Sequence, residues 1–226
     1  MTRTFKLMHA LTAAILLAAA FGAAAQEVKL HRVDEGANDP SWTRFKARLL
    51  GAIERRDQKF ILGVVDAKIR NMSGKNGSAE FRKLWDLRSA DSPLWVELPK
   101  LLSLGGVFIK RDKGAHEYCA PYVHFNWPDN APADASGAII AGEVLMKAGP
   151  SAAAETLRVL SYDLVKAVDW EVADDDKENR QKWVKIQNGT KTGYVPEEQI
   201  RSPLEYRACF ARSEAGWRMT ELEVGE

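Results

Sequence analysis

Four short runs decide the fold of this chain. They are Lys147-Ala148-Gly149-Pro150-Ser151, Val159-Leu160-Ser161-Tyr162, Trp183-Val184-Lys185-Ile186 and Thr192-Gly193-Tyr194-Val195-Pro196. Apolar, β-branched and aromatic residues fill the runs, which is typical of short strands separated by turns. Asn188-Gly189 is a favoured turn dipeptide and predicts that the last two runs form a hairpin. This stretch therefore predicts a small all-β unit.

The segment that precedes this unit predicts helices. A helix is expected over 41–57, capped by Ser41, because apolar residues from Trp42 onward recur at helical spacing. The pattern over 60–72 fits either a strand or a helix, and we predict a helix followed by a turn. Further helices are expected to start at Ser78 and at Asp91-Ser92-Pro93, since proline suits the first helical turn.

Strands are also expected outside the β unit. Two of them, over 107–109 and 117–125, follow the predicted helices, and residues 126–137 are expected to be a linker. A last hairpin is expected over 205–212 and 217–224. A hairpin alone is marginal in water, so its apolar side chains need cover. We therefore predict that this hairpin joins the sheet formed by the two earlier strands.

The four runs together resemble the bacterial SH3 family in order and spacing over residues 144–200. That family commonly has arginine where this chain has Lys147. Three further runs lie outside this stretch: Trp-Val-Glu-Leu to Leu-Gly-Gly at 95–106, Ala-Pro-Tyr-Val at 120–123 and Ser-Pro-Leu-Glu-Tyr-Arg-Ala at 202–208. In these runs the chain resembles uncharacterised exported bacterial proteins that carry this barrel, a likeness that brings no activity. The resemblance implies an SH3-like β-barrel and a role in binding.

The expected fold class is α+β. It comprises a helix-rich N-terminal domain with a small antiparallel sheet, and an SH3-like barrel inserted before the C-terminal hairpin. The expected divisions are a signal peptide at 1–25, the α+β domain at 26–137 plus 202–226, and the barrel at 138–201.

The first 25 residues have the three parts of a secretory signal. Arg3 and Lys6 supply positive charge, 11–21 is apolar, and small residues precede a cleavage point near Ala25. The apolar run is short beside the roughly 20 residues that cross a bilayer. We expect a periplasmic or secreted protein with no membrane span in the mature chain.

The charge balance argues against nucleic acid as a partner. The chain has 32 basic and 31 acidic residues, and without Arg3 and Lys6 the remaining basic residues number 30. A near-neutral chain has no electrostatic reason to bind a polyanion. With 46% hydrophobic residues and seven tryptophans, it can build a sizeable core.

Two cysteines, Cys119 and Cys209, leave two possibilities open. In an oxidising compartment an even pair can form a disulfide, while two separate buried thiols are equally compatible with the sequence. A bridge would fit the proposed shared sheet, because each cysteine lies in one of its predicted strands.

No residue set predicts catalysis, a metal or a cofactor. His116, Glu117, Cys119 and His124 are ligand types, but strand alternation places Cys119 on the opposite face from the two histidines. A Cys119–His124 nucleophile pair lacks the helix-borne cysteine of cell-wall hydrolases. The run of aspartates at 174–176 lacks the glycine and final glutamate of a calcium loop and predicts a charged loop tip.

Aromatic residues are the better candidates for a ligand site. Barrels of the resembling family often hold peptides or glycans with exposed aromatics beside a loop. Tyr162, Trp170 and Tyr194 are the predicted ligand-binding residues, whereas Trp183 is expected to lie in the core.

The predicted function is that of an exported, non-enzymatic binding protein whose barrel contacts peptidoglycan or an envelope protein. The alternative is a cell-wall hydrolase, or its regulator, with an active N-terminal domain. A third possibility is an assembly or inhibitor protein whose helical face, around Trp85 and Trp95, meets another protein.

Overall fold

The computed structural model describes residues 28–72, 74–111 and 116–224. The predicted signal peptide lies outside these residues. The fold is mixed α and β, with five helices and two sheets in the described part of the chain.

The helices and strands have the following bounds. The helices are α1 (Pro40–Glu54), α2 (Gln58–Val64), α3 (Ser78–Trp85), α4 (Leu94–Ser103) and α5 (Tyr122–Phe125). The strands are β1 (Val65–Asn71), β2 (Val107–Lys110), β3 (His116–Ala120), β4 (Ser136–Ile139), β5 (Val144–Lys147), β6 (Thr156–Leu160), β7 (Leu164–Ala173), β8 (Lys182–Asn188), β9 (Lys191–Pro196), β10 (Ile200–Arg201), β11 (Tyr206–Ser213) and β12 (Gly216–Val224).

The first sheet has five strands in the order β1-β12-β11-β3-β2. β1 pairs with β12 in parallel, and the other neighbours are antiparallel. The C-terminal hairpin thus lies in the middle of the sheet and pairs with β3 as the sequence predicted. The sheet therefore combines three strands from the first half of the described chain with the two strands of the C-terminal hairpin.

Helices cover one face of this sheet around the aromatic ring of Trp42. That ring has centroid distances of 4.0 to 5.6 Å to the rings of Phe45, Tyr118, Phe210 and Trp217. All five side chains are buried. Burial of several large rings at one point contributes substantial apolar area to the core of this half of the molecule.

The helical face around Trp85 and Trp95 does not meet the expectation of an exposed contact surface. Trp85 is 2% exposed and Trp95 is 8% exposed, and both belong to the core that covers the first sheet. The two side chains stabilise the protein's own interior, so neither indole is available as an exposed contact.

Two N-terminal predictions are also corrected. The cap of α1 is Asp39, whose carboxylate accepts hydrogen bonds from the backbone N–H groups of Ser41 and Trp42, so Ser41 is inside the helix. The predicted helix over 60–72 is a helix only to Val64. From Val65 the chain is a strand, because pairing with β12 gives its backbone groups partners.

The predicted strand over 117–125 ends early. β3 stops at Ala120, the peptide bond to Pro121 is cis, and the next residues form the short helix α5. Proline has no N–H for a strand ladder, which is the signal that the strand prediction overlooked. The predicted linker over 126–137 likewise ends in β4, which begins at Ser136.

The second sheet has seven strands in the order β10-β4-β7-β8-β9-β5-β6. All of its pairings are antiparallel, and among the described residues the strand order is open, with β10 and β6 at its edges. Its strands are consecutive in sequence from Ser136 to Arg201. Trp183 is buried in this half of the molecule, as predicted.

A small third cluster joins the two sheets. Leu30, Tyr122, Val123 and Ala138 are buried together, and they come from the N-terminal segment, α5 and β4. The backbone N–H of Leu30 also donates to the carbonyl of Tyr162 at 2.7 Å. The cluster holds the two sheets beside each other.

Asp174 organises the loop between β7 and β8, unlike Asp175 and Asp176, which are exposed as expected for a charged loop tip. Asp174 is buried, and its Oδ2 accepts hydrogen bonds from the Trp183 indole at 2.8 Å and from the Asn179 amide at 3.0 Å. Its Oδ1 accepts from the backbone N–H of Asp176. This carboxylate therefore fixes both the loop and a core tryptophan.

Replacing Asp174 with alanine is expected to lower the free energy of unfolding by about 1–2 kcal/mol, because the buried indole N–H of Trp183 loses its acceptor. Urea unfolding followed by tryptophan fluorescence measures the change. Asp175→Ala is the matched control, since Asp175 is exposed in the same loop. An equal loss in both variants would contradict this role for Asp174.

Candidate functional site

A cleft of about 930 Å³ opens between α4 and the second sheet. One wall comes from α4 and the residue after it, and the other from the end of β7, the start of β8 and the segment around β10. Its lining consists of Glu97, Lys100, Ser103, Leu104, Ile140, Trp170, Glu171, Arg180, Gln181, Lys182, Glu197, Glu198, Ile200, Arg201, Ser202 and Glu205. The cleft is the place where both halves of the molecule face the same space.

A β-bulge supplies the aromatic side chain of the cleft. The register of β7 against β8 shifts between Asp169 and Val172, so Trp170 and Glu171 together oppose a single residue of β8. Glu171 has a φ of 58°, in the left-handed region that residues other than glycine rarely occupy. Bulges and unusual φ values often occur where a side chain is redirected toward a site.

Trp170 has one side on the core and one side in the cleft. It is half-buried and packs against the apolar cluster of the second sheet. A Cβ at Gly137 would lie 3.5 Å from its ring and 2.7 Å from the Ile200 side chain, so glycine permits this close approach. The core contact holds the indole in place as an apolar wall.

Arg201 is a buried cation in the lining. Its Nη1 lies 3.0 Å from the Glu205 carboxylate, and its Nη2 donates to the carbonyl of Tyr206 at 2.8 Å. Its Nε–H has no hydrogen-bond partner among the described residues. Burial lowers the pKa of Arg201, against the opposing charges of Glu205 and Glu97. Arginine side chains commonly bind carboxylates, although this Nε–H is itself buried away from the cleft.

The cleft mixes both signs of charge. Its acidic residues are Glu97, Glu171, Glu197, Glu198 and Glu205, and its basic residues are Lys100, Arg180, Lys182 and Arg201. Burial, followed by the negative charge of Glu171, raises the pKa of Glu197. Crowded carboxylates beside cations suit a ligand that carries both an ammonium and a carboxylate.

The structure brings only one of the three predicted ligand residues into the cleft. Trp170 lines it, whereas Tyr162 and Tyr194 do not. Tyr162 lies in the turn between β6 and β7, with its ring 5.6 Å from that of His31. Tyr194 lies in β9 between Lys185 of β8 and Lys147 of β5. The three aromatics therefore do not form one surface.

The polar residues of the cleft were not predicted as site residues from the sequence. Glu97 and Lys100 lie on the polar side of α4 and make an ion pair at 3.1 Å, a pattern that surface helices commonly show. Arg201 is the last residue of the predicted barrel and carried no motif. Only the packing of the two halves gives these residues a shared environment.

The side of the first sheet that faces away from the helices carries a charged cluster around Cys119 and Cys209, which form a disulfide. The two cysteines lie directly opposite each other in β3 and β11. Around them lie Arg70, Arg111, Arg207, Glu117, Glu221 and Glu223. We call this set the charged face.

The charged face does not suit a metal ion. A carboxylate oxygen of Glu117 and the two sulfurs lie within 4.8 Å of one another, but the sulfurs are bonded to each other. Arg111 also places a guanidinium nitrogen 3.4 Å from the Cys209 sulfur. His124 is not on a strand with His116 but in α5, where its Nδ1 lies 2.9 Å from the carbonyl of Pro203.

No family model, curated protein or solved structure matches this chain. Within the described residues, every helix is too short or too polar to cross a membrane. The cleft and its charges are therefore the observations from which a function can be inferred.

Proposed function

We propose that this is an exported, non-enzymatic binding protein that holds the peptide part of peptidoglycan in the cleft between α4 and the second sheet. Export is inferred from the signal pattern over residues 1–25. The second sheet, as an SH3-like barrel, supplies one wall with Trp170, and the first half of the chain supplies the other.

One feature of the core supports a barrel-like shape for the second sheet. Its buried cluster contains Ile139 of β4 and Ile200 of β10, from one edge of the sheet. It also contains Val144 of β5 and Leu160 of β6, from the other edge. A curled sheet would bring residues of both edges into one cluster, so this shared cluster is compatible with a barrel-like shape.

The bulge that places Trp170 in the cleft carries the proposal. In an ordinary strand, successive side chains alternate strictly between the two faces of the sheet. Here Trp170 and Glu171 together oppose one residue of β8, and Glu171 takes a strained backbone conformation. Peptidoglycan stem peptides carry carboxylate and ammonium groups on a short apolar frame. The indole of Trp170, the guanidinium of Arg201 and the neighbouring carboxylates match these groups.

Replacing Trp170 with alanine is expected to weaken binding to purified muropeptides at least about tenfold, because a buried aromatic anchor often dominates binding energy. Isothermal titration calorimetry with the muropeptide, and co-sedimentation with purified sacculi, measure the change. Tyr194→Ala is the matched control, since it removes an aromatic side chain from the same sheet outside the cleft.

Three results would overturn parts of this proposal. Loss of binding in Tyr194→Ala with normal binding in Trp170→Ala would show that the binding site lies outside the cleft. Absence of sacculus binding by the parent protein would exclude peptidoglycan and favour an envelope protein as the partner. Release of muropeptides by the purified protein would make it a cell-wall hydrolase.

A further inference from the structure

A second pocket, of about 570 Å³, lies on the first half of the molecule between α1 and the turn of the C-terminal hairpin. It is lined by Ser41, Arg44, Ala47, Arg48, Arg212, Gly216 and Trp217. The indole of Trp217 is buried, and its Nε1 donates to the Ser41 hydroxyl at 3.2 Å. The pocket therefore has a fixed aromatic floor.

Three arginines surround this floor without a carboxylate among the lining residues. Arg44 and Arg48 are one helical turn apart on α1, and Arg212 comes from the end of β11. All three are exposed, and no ion pair to any of them occurs within the described residues. Elsewhere, the arginines of the charged face are paired with glutamates.

Of the acids nearby, Asp39 offsets part of the charge of Arg212 but is not part of the lining. Asp39 is held as the cap of α1, where a hydrogen bond from Ser41 and the charge of Arg212 contribute to lowering its pKa. Glu214 lies in the hairpin turn beyond Arg212 and is not part of the lining. Like charges four residues apart on a helix cost a few tenths of a kcal/mol, so Arg44 and Arg48 repel each other.

We propose that this pocket binds a phosphoryl group, carried by a soluble phosphate ester or by a phospholipid headgroup. A guanidinium presents two parallel N–H donors, and a tetrahedral phosphate has enough oxygens for more than one such fork. A carboxylate has only two oxygens, so it can accept fewer such pairs of N–H donors than a phosphate can. The bound anion would remove the repulsion between Arg44 and Arg48, and the Trp217 floor would meet the apolar part of the ligand.

Inorganic phosphate is the first probe, titrated into the labelled protein while the NMR signals of the arginine side chains are followed. We expect saturable shifts for the three pocket arginines. Arg48→Gln is expected to weaken binding about tenfold, as for the loss of a charge-assisted hydrogen bond. Arg88→Gln is the matched control, because Arg88 is a highly exposed arginine outside the pocket. Surface substitutions of this kind leave stability almost unchanged.

Vesicles identify the source of the phosphoryl group. Binding to phosphatidylglycerol vesicles that is lost in Arg48→Gln would support a lipid headgroup, whereas binding to inorganic phosphate alone would support a soluble ester. Three outcomes would overturn the proposal: no binding of either probe, equal binding by Arg48→Gln and Arg88→Gln, or equal binding of acetate and phosphate by the parent protein.

Discussion

Replacing both Cys119 and Cys209 with alanine is expected to lower the free energy of unfolding by about 4–5 kcal/mol. The bond joins residues 90 positions apart, so its loss releases a long loop in the unfolded chain. Both side chains are fully buried, and alanine also removes their packing. Urea unfolding followed by circular dichroism measures the loss.

The parent protein under reducing conditions is the control for the cysteine variant. The chain contains only these two cysteines, so a reductant should shift the unfolding midpoint of the parent and leave the double variant unchanged. A loss below about 1 kcal/mol would contradict the prediction, since loop closure alone accounts for more. Equal sensitivity of both proteins to the reductant would contradict it as well.

Glu221→Gln is expected to lower the free energy of unfolding by about 2–4 kcal/mol at neutral pH. Its carboxylate accepts hydrogen bonds from Arg70 at 2.9 Å and from Arg207 at 2.7 Å, and Arg111 lies 3.4 Å away. The side chain is 5% exposed. Removing its charge leaves the guanidiniums without their shared partner, although Arg70 and Arg111 still reach water, which limits the cost.

The same residue sets a pH dependence. Burial raises the pKa of Glu221, but the hydrogen bonds from Arg70 and Arg207 outweigh burial, and the net pKa is lowered. Because the folded pKa lies below the unfolded value of about 4.3, the contribution of Glu221 is present above that value and is lost as pH falls through the folded pKa. The free energy of unfolding, measured at several acid pH values, should therefore fall less steeply with decreasing pH in Glu221→Gln than in the parent protein.

Glu223→Gln is the matched control on the charged face. Burial, followed by the charge of Glu221, raises the pKa of Glu223, so its ionised form is disfavoured in the folded protein. We expect a smaller loss of stability at neutral pH than for Glu221→Gln. A loss at least as large would show that Glu221 is not the centre of the charged face.

Sequence patterns predicted those elements whose determinants are local. The aromatic spacing of α1 and the hairpin signal at Asn188-Gly189 each reflect contacts within a few residues. Both elements are present, but Asn188 pairs with Lys191, so the two turn residues are Gly189 and Thr190. The residues after Val64 show where prediction from local patterns fails. Ile61, Val65 and Ile69 fit a helix, and only pairing with β12, far away in sequence, makes the second half a strand.

The candidate site follows the same rule. Trp170 could be chosen from its own position near a loop, because an aromatic residue there is typical of binding surfaces. Glu97 and Arg201 could not, because each is unremarkable alone and becomes part of a cleft only where α4 approaches β10. The pocket around Trp217 likewise joins residues from the two ends of the described chain.

The central position of β11 and β12 also sets an order of events during synthesis. β4 to β10 are consecutive, so the second sheet has all its strands once the chain up to Arg201 is available. The first sheet has its edge strands early but lacks its middle until residues 206–224 emerge. The second sheet can therefore pair all of its strands before residues 206–224 are available, whereas the helices of the first half lack a complete sheet to pack on until the C-terminal hairpin is present.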